Sequence, residues 1–307
     1  LSEKKKYLLI KARRAGFWSD CLHVAGQLLL AELTGRTPIV YWGSESLYAS
    51  EKPSEQDAFT MYFKPISKYT IAHLERGQHS YYPSIWHSKN LRQHVQRIYY
   101  KANEAMNRQE DVLVSNAYAG VKKMIPFIQP NHPAYGLKVS QIYPYILQKY
   151  FKLQADTDKK INQFYNIHMR NKQPLLAVHI RASDKIRECK DLYEINSRYP
   201  KKLDQLLLEN PNHSIFLLTD SVQIQATYKQ LYGNRLINTN ARRTASDHTG
   251  VHTQPDYNKQ EKGFDIVRDT FLALRCDTFL GNPRSNVTKA ISWLKPWEKN
   301  KIHYIKS

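Results

Sequence analysis

Residues 174–188 read Pro-Leu-Leu-Ala-Val-His-Ile-Arg-Ala-Ser-Asp-Lys-Ile-Arg-Glu. Leu175 to Val178 form a short apolar run, the pattern of a strand buried on both faces. The run ends in His179, Arg181, Asp184, Lys185 and Glu188. Ligands of open α/β sheets bind beyond the carboxyl ends of the strands. One strand thus delivers an imidazole, two cations and two carboxylates to an edge where ligands sit. A plain strand with a polar surface loop after it reads the same way, so the flanking segments decide.

On both sides of this strand, apolar runs alternate with helical periodicity. Downstream, a helix is predicted over Arg198–Leu208 and a strand over Ile215–Leu218, ending in Thr219-Asp220-Ser221. A helix over Val222–Tyr232 and a short strand over Arg235–Ile237 follow. Residues 238–262 are a long polar stretch containing Arg242, Arg243, His248, His252 and Asp256. A loop of that length in a compact domain is usually functional or disordered, and a mobile lid is the functional form expected here. Phe264–Leu274 returns to helix, a strand starts near Thr278, and a new helix opens near Ser285. Upstream, Val139–Phe164 has a helical pattern.

The chain opens with a strand at Tyr7–Ile10 and a glycine turn at Gly16. A helix then runs to about Thr34, Gly35 is its stop, and a strand lies at Pro38–Trp42. Strand, glycine turn, helix, strand is a Rossmann-like opening, without the Gly-x-Gly-x-x-Gly of dinucleotide binders. Residues 44–135, rich in Tyr, His and Ser, read as peripheral helices and loops, with a short strand at Val112–Val114. Tyr81, Tyr82 and Trp86 are candidates for stacking on sugar rings, although such clusters more often belong to a core.

The 307 residues suffice for one large or two medium domains, and 41% hydrophobic with 12% aromatic content is that of a globular chain. Lys and Arg number 46 against 27 Asp and Glu, a net charge of +19, which favours anionic partners. The basic residues are scattered and form no stripe, so a nucleic-acid partner is not expected. No apolar run is long enough to span a membrane. Cys21, Cys189 and Cys276 are an odd set without metal spacing, which suits a reducing, cytoplasmic setting. The sequon Asn286-Val287-Thr288 lies inside the supposed ligand edge, where a glycan would block it, which again favours a bacterial-type cytoplasmic enzyme. Asp156-Thr157-Asp158 matches Asp-x-Asp, but it opens a helix, where carboxylates meet the dipole; no metal site is assigned to it.

Residues 269–288 read Asp-Thr-Phe-Leu-Ala-Leu-Arg-Cys-Asp-Thr-Phe-Leu-Gly-Asn-Pro-Arg-Ser-Asn-Val-Thr. With 174–188 they resemble the α1,6-fucosyltransferases and their relatives. These are the core N-glycan enzymes, the rhizobial Nod-factor fucosyltransferases and, more distantly, the protein O-fucosyltransferases. The family's first motif is close to His-x-Arg-Arg-x-Asp-Lys, met here by His179, Arg181, Asp184 and Lys185. Its last motif places an Asp, a second Asp eight residues on, and a Ser eight beyond that, as do Asp269, Asp277 and Ser285. Gly16, Leu22-His23 and the Thr-Gly-Arg-Thr turn at 34–37 resemble the family's opening. Two positions depart from the pattern. Ala182 stands where the core enzymes often have a second arginine, and Glu188 lies nine residues beyond His179 where the family's acidic residue lies ten beyond.

The resemblance implies a GT-B-like α/β fold, two Rossmann-like domains facing a cleft. The division expected is 1–167 for an acceptor-side domain and 168–307 for a GDP-sugar-binding domain. It implies GDP-fucose as donor, a carbohydrate acceptor, and inverting transfer without a metal or other cofactor. In the family the matching His and Asp contact guanine, and the matching Arg and Ser contact the phosphates. The chemistry of the residues agrees. Arg181 offers phosphate a planar fork. Ser285 opens a helix whose amides favour an anion. Lys185 adds a compact charge. A carboxylate at Asp269 can accept from both N1–H and the exocyclic amine of guanine. The donor set is then His179, Arg181, Asp269 and Ser285, with Gly16 and His23 from the opening; the catalytic set is Glu188, Lys185 and Asp184. Of the carboxylates, Glu188 suits the base, while Asp184, beside Arg181 and Lys185, suits orienting the cationic loop. A polypeptide acceptor, as in protein O-fucosylation, uses the same donor residues.

Overall fold

The computed structural model describes residues 5–49, 57–246, 250–251 and 254–305. The chain divides into two compact units, Leu1–Gln154 and Ala155–Ser307.

In the first unit, β1 (Tyr7–Lys11) leads through Gly16 into α1 (Phe17–Thr34), and β2 (Thr37–Tyr41) follows. Gly35 ends α1 at φ +63°, a left-handed position that glycine adopts without penalty. Short helices α2 (Ala58–Tyr62) and α3 (Ile71–Arg76), strand β3 (Tyr81–Tyr82), α4 (Ala102–Asn107), β4 (Val112–Ser115) and α5 (Val139–Tyr150) complete the unit. The sheet is parallel, in the order β2-β1-β4-β3. Residues 44–135, expected at the periphery, therefore supply an inner strand: β4 is wholly buried beside β1.

The helical pattern at 139–164 is two helices, α5 and α6 (Ala155–His168), and the units divide between them. Helix α6, placed by the sequence on the near side of a boundary at 167, packs against a later helix of the second unit. The second unit continues with β5 (Leu175–Ile180), α7 (Leu192–Ser197), α8 (Tyr199–Glu209), β6 (Ser214–Thr219), α9 (Val222–Tyr232) and β7 (Leu236–Ile237). It ends with α10 (Lys259–Ala273), β8 (Thr278–Gly281), α11 (Asn286–Leu294) and β9 (Ile302–Tyr304). Helix α10 begins earlier than the polar composition of 238–262 suggested, because the Asn258 side chain accepts from the amides of Gln260 and Glu261 and caps it.

The second sheet is also parallel, in the order β7-β6-β5-β8-β9. From β5 the chain moves outward to β6 and β7, then returns to the other side of β5 for β8 and β9. The order reverses between β5 and β8, so the ligand crevice of such a sheet lies at their carboxyl ends. One core face is built from Leu176, Val178 and Ile180 with Ile215, Leu217, Leu203 and Tyr199. Among the described residues no helix is long and apolar enough to cross a membrane.

Candidate active site

Strand β5 runs two residues past the apolar run, so His179 lies inside the sheet and not beyond it. Its ring is buried and its Nδ1 is 2.8 Å from Thr288 Oγ1. Burial disfavours the imidazolium and lowers the pKa to about 4, leaving a neutral ring. Thr288 approaches this closely because Gly281, paired with His179 across the sheet, has no side chain. A Cβ there would meet Thr288 Oγ1 at 2.7 Å.

Arg181, the first residue past β5, is held between two carboxylates. Its Nη2 donates to Asp184 Oδ1 at 2.6 Å, and its Nη1 donates to Asp220 Oδ2. Asp220, the first residue past β6, also accepts from the Ala182 amide at 2.8 Å and from the Ser183 hydroxyl. Ser183 sits at φ +50°, a left-handed conformation costly for a side-chain-bearing residue, and Asp220 braces it. The sequence placed Asp220 at a strand end without assigning it a role. The residues from Ser183 to Arg187 form a 3₁₀ turn, in which Lys185 pairs with Glu188. Glu188 closes that turn with its side chain 68% exposed.

Across the crevice, β8 ends at Gly281 and α11 opens at Ser285, as expected. Ser285 is buried, and its hydroxyl makes no capping bond to the helix. Asn282 Oδ1 accepts from the Arg284 amide at 2.9 Å and fixes the turn. Arg284 reaches back over the edge to Asp191 Oδ1 at 2.6 Å and Cys189 Sγ at 3.0 Å, linking the loop after β8 to the loop after β5. Lys289, in the first turn of α11, is half-buried.

Asp269 lies on α10. Its Oδ1 accepts from Thr239, just past β7, at 2.8 Å, and from Arg268 Nε at 3.2 Å. Its Oδ2 accepts no hydrogen bond among the described residues. Burial pushes its pKa up, and the charge of Arg268 opposes that rise. Arg243 folds back onto the carbonyls of Ala241 and Thr239, and Arg242 pairs with Asp256. His248 and His252 of the supposed lid lie outside the described residues. Asp277 is at the opposite, amino end of β8. Its carboxylate accepts from the Leu175 amide at 2.7 Å and stitches two strand starts.

In the first unit, Gly16 precedes α1 at an exposed turn, and a Cβ there would meet nothing within 4 Å. His23 is fully buried on α1, its Nδ1 3.4 Å from the Ala119 amide, and burial lowers its pKa well below the usual value. Trp86 is not a stacking platform: it is 2% exposed, in the core, with Lys11 Nζ 4.4 Å over its ring. Tyr82 is covered by Arg108, and Tyr81 bonds the Leu74 carbonyl. Asp156 and Asp158 lie in the first turn of α6, where Asp158 accepts from Asn162 at 3.0 Å. Among the described residues no three His, Cys, Asp or Glu side chains converge as a metal site would require.

Two parallel-stranded Rossmann-like units, one with charged residues gathered at its switch point, define a GT-B-like α/β architecture. The sequence matches no protein-family model and no curated protein. Solved structures do share the fold. The fucosyltransferase NodZ from Bradyrhizobium matches with a TM-score of 0.61 at 18% identity, over 94% of this chain and 92% of that one. NodZ alpha-1,6-fucosyltransferase soaked with GDP-fucose gives 0.61 at 18% identity, over 95% and 94%. POFUT1 in complex with GDP gives 0.59 at 12% identity, over the full length of both chains. The fold expected from the sequence is thus the fold observed, the one shared with these fucosyltransferases.

Proposed function

We propose that the protein is an inverting glycosyltransferase that moves fucose from GDP-fucose to a sugar hydroxyl, O6 of an N-acetylglucosamine, without a metal. The observation that carries this reading is the arrangement along one sheet edge. Asp269 and Thr239 stand at the end of β7, Arg181 and Asp220 at the ends of β5 and β6, and Ser285 with the α11 amides at the end of β8. Four adjacent strands span about 14 Å, a length that suits an extended nucleoside diphosphate.

In this reading Asp269 accepts from guanine through its open Oδ2. Each terminal nitrogen of Arg181 gives one N–H to a carboxylate, so three of the five guanidinium N–H donors remain for a phosphate. Ser285 and the amides of α11 take the same anion. Glu188 takes the proton from the acceptor hydroxyl, whose oxygen attacks C1 of fucose. The C1–O bond to the β-phosphate breaks, and GDP leaves with the electron pair. His179, neutral and buried, supports the first turn of α11 through Thr288. The full-length likeness to POFUT1 supports a second reading, a protein hydroxyl as acceptor. Both acceptors share the donor side, which is therefore tested first.

The test is thermal unfolding with GDP, GDP-fucose, UDP and ADP, with and without EDTA. Ligand that binds the native state raises the melting temperature by mass action. Selective stabilisation by the guanine nucleotides, unchanged by EDTA, is expected. Stabilisation that requires magnesium or manganese, or that ignores the base, would overturn the reading.

A further inference from the structure

The crevice between β5 and β8 carries four cations: Arg181, Lys185, Arg284 and Lys289. Three have carboxylate partners. Arg181 has Asp184 and Asp220, Lys185 has Glu188, and Arg284 has Asp191. Lys289 has no ion pair and no side-chain hydrogen bond among the described residues, although it is half-buried. A partly buried ammonium without a counter-charge is unfavourable. Burial first, and the charge of Lys185 on the turn after β5 second, hold Lys289 below its ordinary pKa. Lys289 thus stands unpaired among the described residues in the first turn of α11, which follows β8, while Lys185 lies in the turn that follows the paired strand β5; Ser285 leaves its hydroxyl free of the helix.

We propose that Lys289, acting with Lys185, is the receptor for the terminal phosphate of a nucleoside diphosphate. The inference rests on the donor site proposed above and names the residue that distinguishes a diphosphate from a monophosphate in it. Arg181 is poorly suited to that task alone, because the two carboxylates that hold it offset its charge. Lys289 has no such partner, so an arriving dianion supplies the missing counter-charge and relieves the repulsion from Lys185. The β-phosphate carries the charge released when the sugar–oxygen bond breaks. A cation aimed there therefore stabilises the leaving group and tightens product binding together.

The experiment compares the affinities of GDP, GMP and guanosine for the wild-type protein and for Lys289→Met and Lys289→Arg, by calorimetric titration at fixed ionic strength. Lys289→Met keeps the length and apolar stem of the side chain and removes the charge. It should lose about tenfold or more in GDP affinity, the scale of one hydrogen bond to a charged group, with GMP and guanosine affinities changed by less than about threefold. Lys289→Arg should recover most of the GDP affinity. Equal losses for GDP and GMP, or no loss for either, would overturn the inference while leaving guanine-nucleotide binding intact. A wild-type protein that binds none of the three would instead end the donor-site reading on which it rests.

Discussion

The guanidinium of Arg181 is bound to the carboxylate of Asp220 across the ends of two paired strands, β5 and β6. The same carboxylate holds the Ala182 amide and the Ser183 hydroxyl, so one residue anchors three successive residues at the start of the turn that follows the central strand. Asp220→Ala removes the acceptor for three donors and leaves Arg181 with Asp184 alone. It should cost about 2–4 kcal/mol in urea unfolding and most of the turnover. Asp220→Asn, which can still accept from the Ala182 amide, should cost less. Wild-type stability in Asp220→Ala would show that the turn holds itself.

Arg181→Lys should recover little of the activity lost in Arg181→Ala. A single ammonium cannot bridge Asp184 and Asp220 while facing a phosphate. Turnover assays of the two variants decide this; near wild-type rates in the lysine variant would remove the phosphate role.

Asp269 must be ionised to accept from guanine. Its folded pKa lies above the ordinary aspartate value of about 3.9. GDP affinity should therefore fall as pH drops through that raised pKa, and binding should take place with release of a proton in the same range. The stability linkage has the opposite sense to that of a salt-bridged aspartate. The folded state binds the proton more readily than the unfolded one, so Asp269 lowers stability as pH rises from the unfolded to the folded pKa. Asp269→Asn should abolish the pH dependence of GDP binding and weaken GDP more than ADP. Equal small losses for both nucleotides would make the residue structural.

Glu188→Gln should retain GDP binding and lose most of kcat, whereas Asp184→Asn should disturb donor affinity as well, because Asp184 holds Arg181 at 2.6 Å. The exposed Glu188 side chain has Lys185 as its partner. Full turnover by Glu188→Gln would exclude it as the base.

Gly281→Ala places a Cβ 2.7 Å from Thr288 Oγ1 and 2.8 Å from the Phe279 ring. The first turn of α11 must move to accommodate it, at about 1–3 kcal/mol for an overpacked site. The urea midpoint should fall, and GDP should weaken in parallel. A midpoint unchanged from wild type would mean that the helix yields freely.

The sequence by itself determined most of the periodic elements. Val222–Tyr232, the helix stopped by Gly35 and the helix opened by Ser285 lie where the pattern put them, because caps and apolar periodicity are local properties of the chain. It also gave the chemistry of the central edge, since a strand run that ends in charge has one sensible orientation in an α/β sheet. Three things were decided only in three dimensions. The inner position of β4 depends on pairing with β1, about a hundred residues earlier in the chain, and no local pattern records that partner. The burial of His179, His23 and Trp86 depends on what packs over them, so residues that read as ligand-facing are enclosed. The pairing of charges across strand ends was equally invisible. Asp220 claims Arg181 from 39 residues away, while Lys289 has no carboxylate partner among the described residues. Electrostatic partners are set by distance in space, and it is the return of the chain from β7 to β8 that brings the first turn of α11 to the edge of β5.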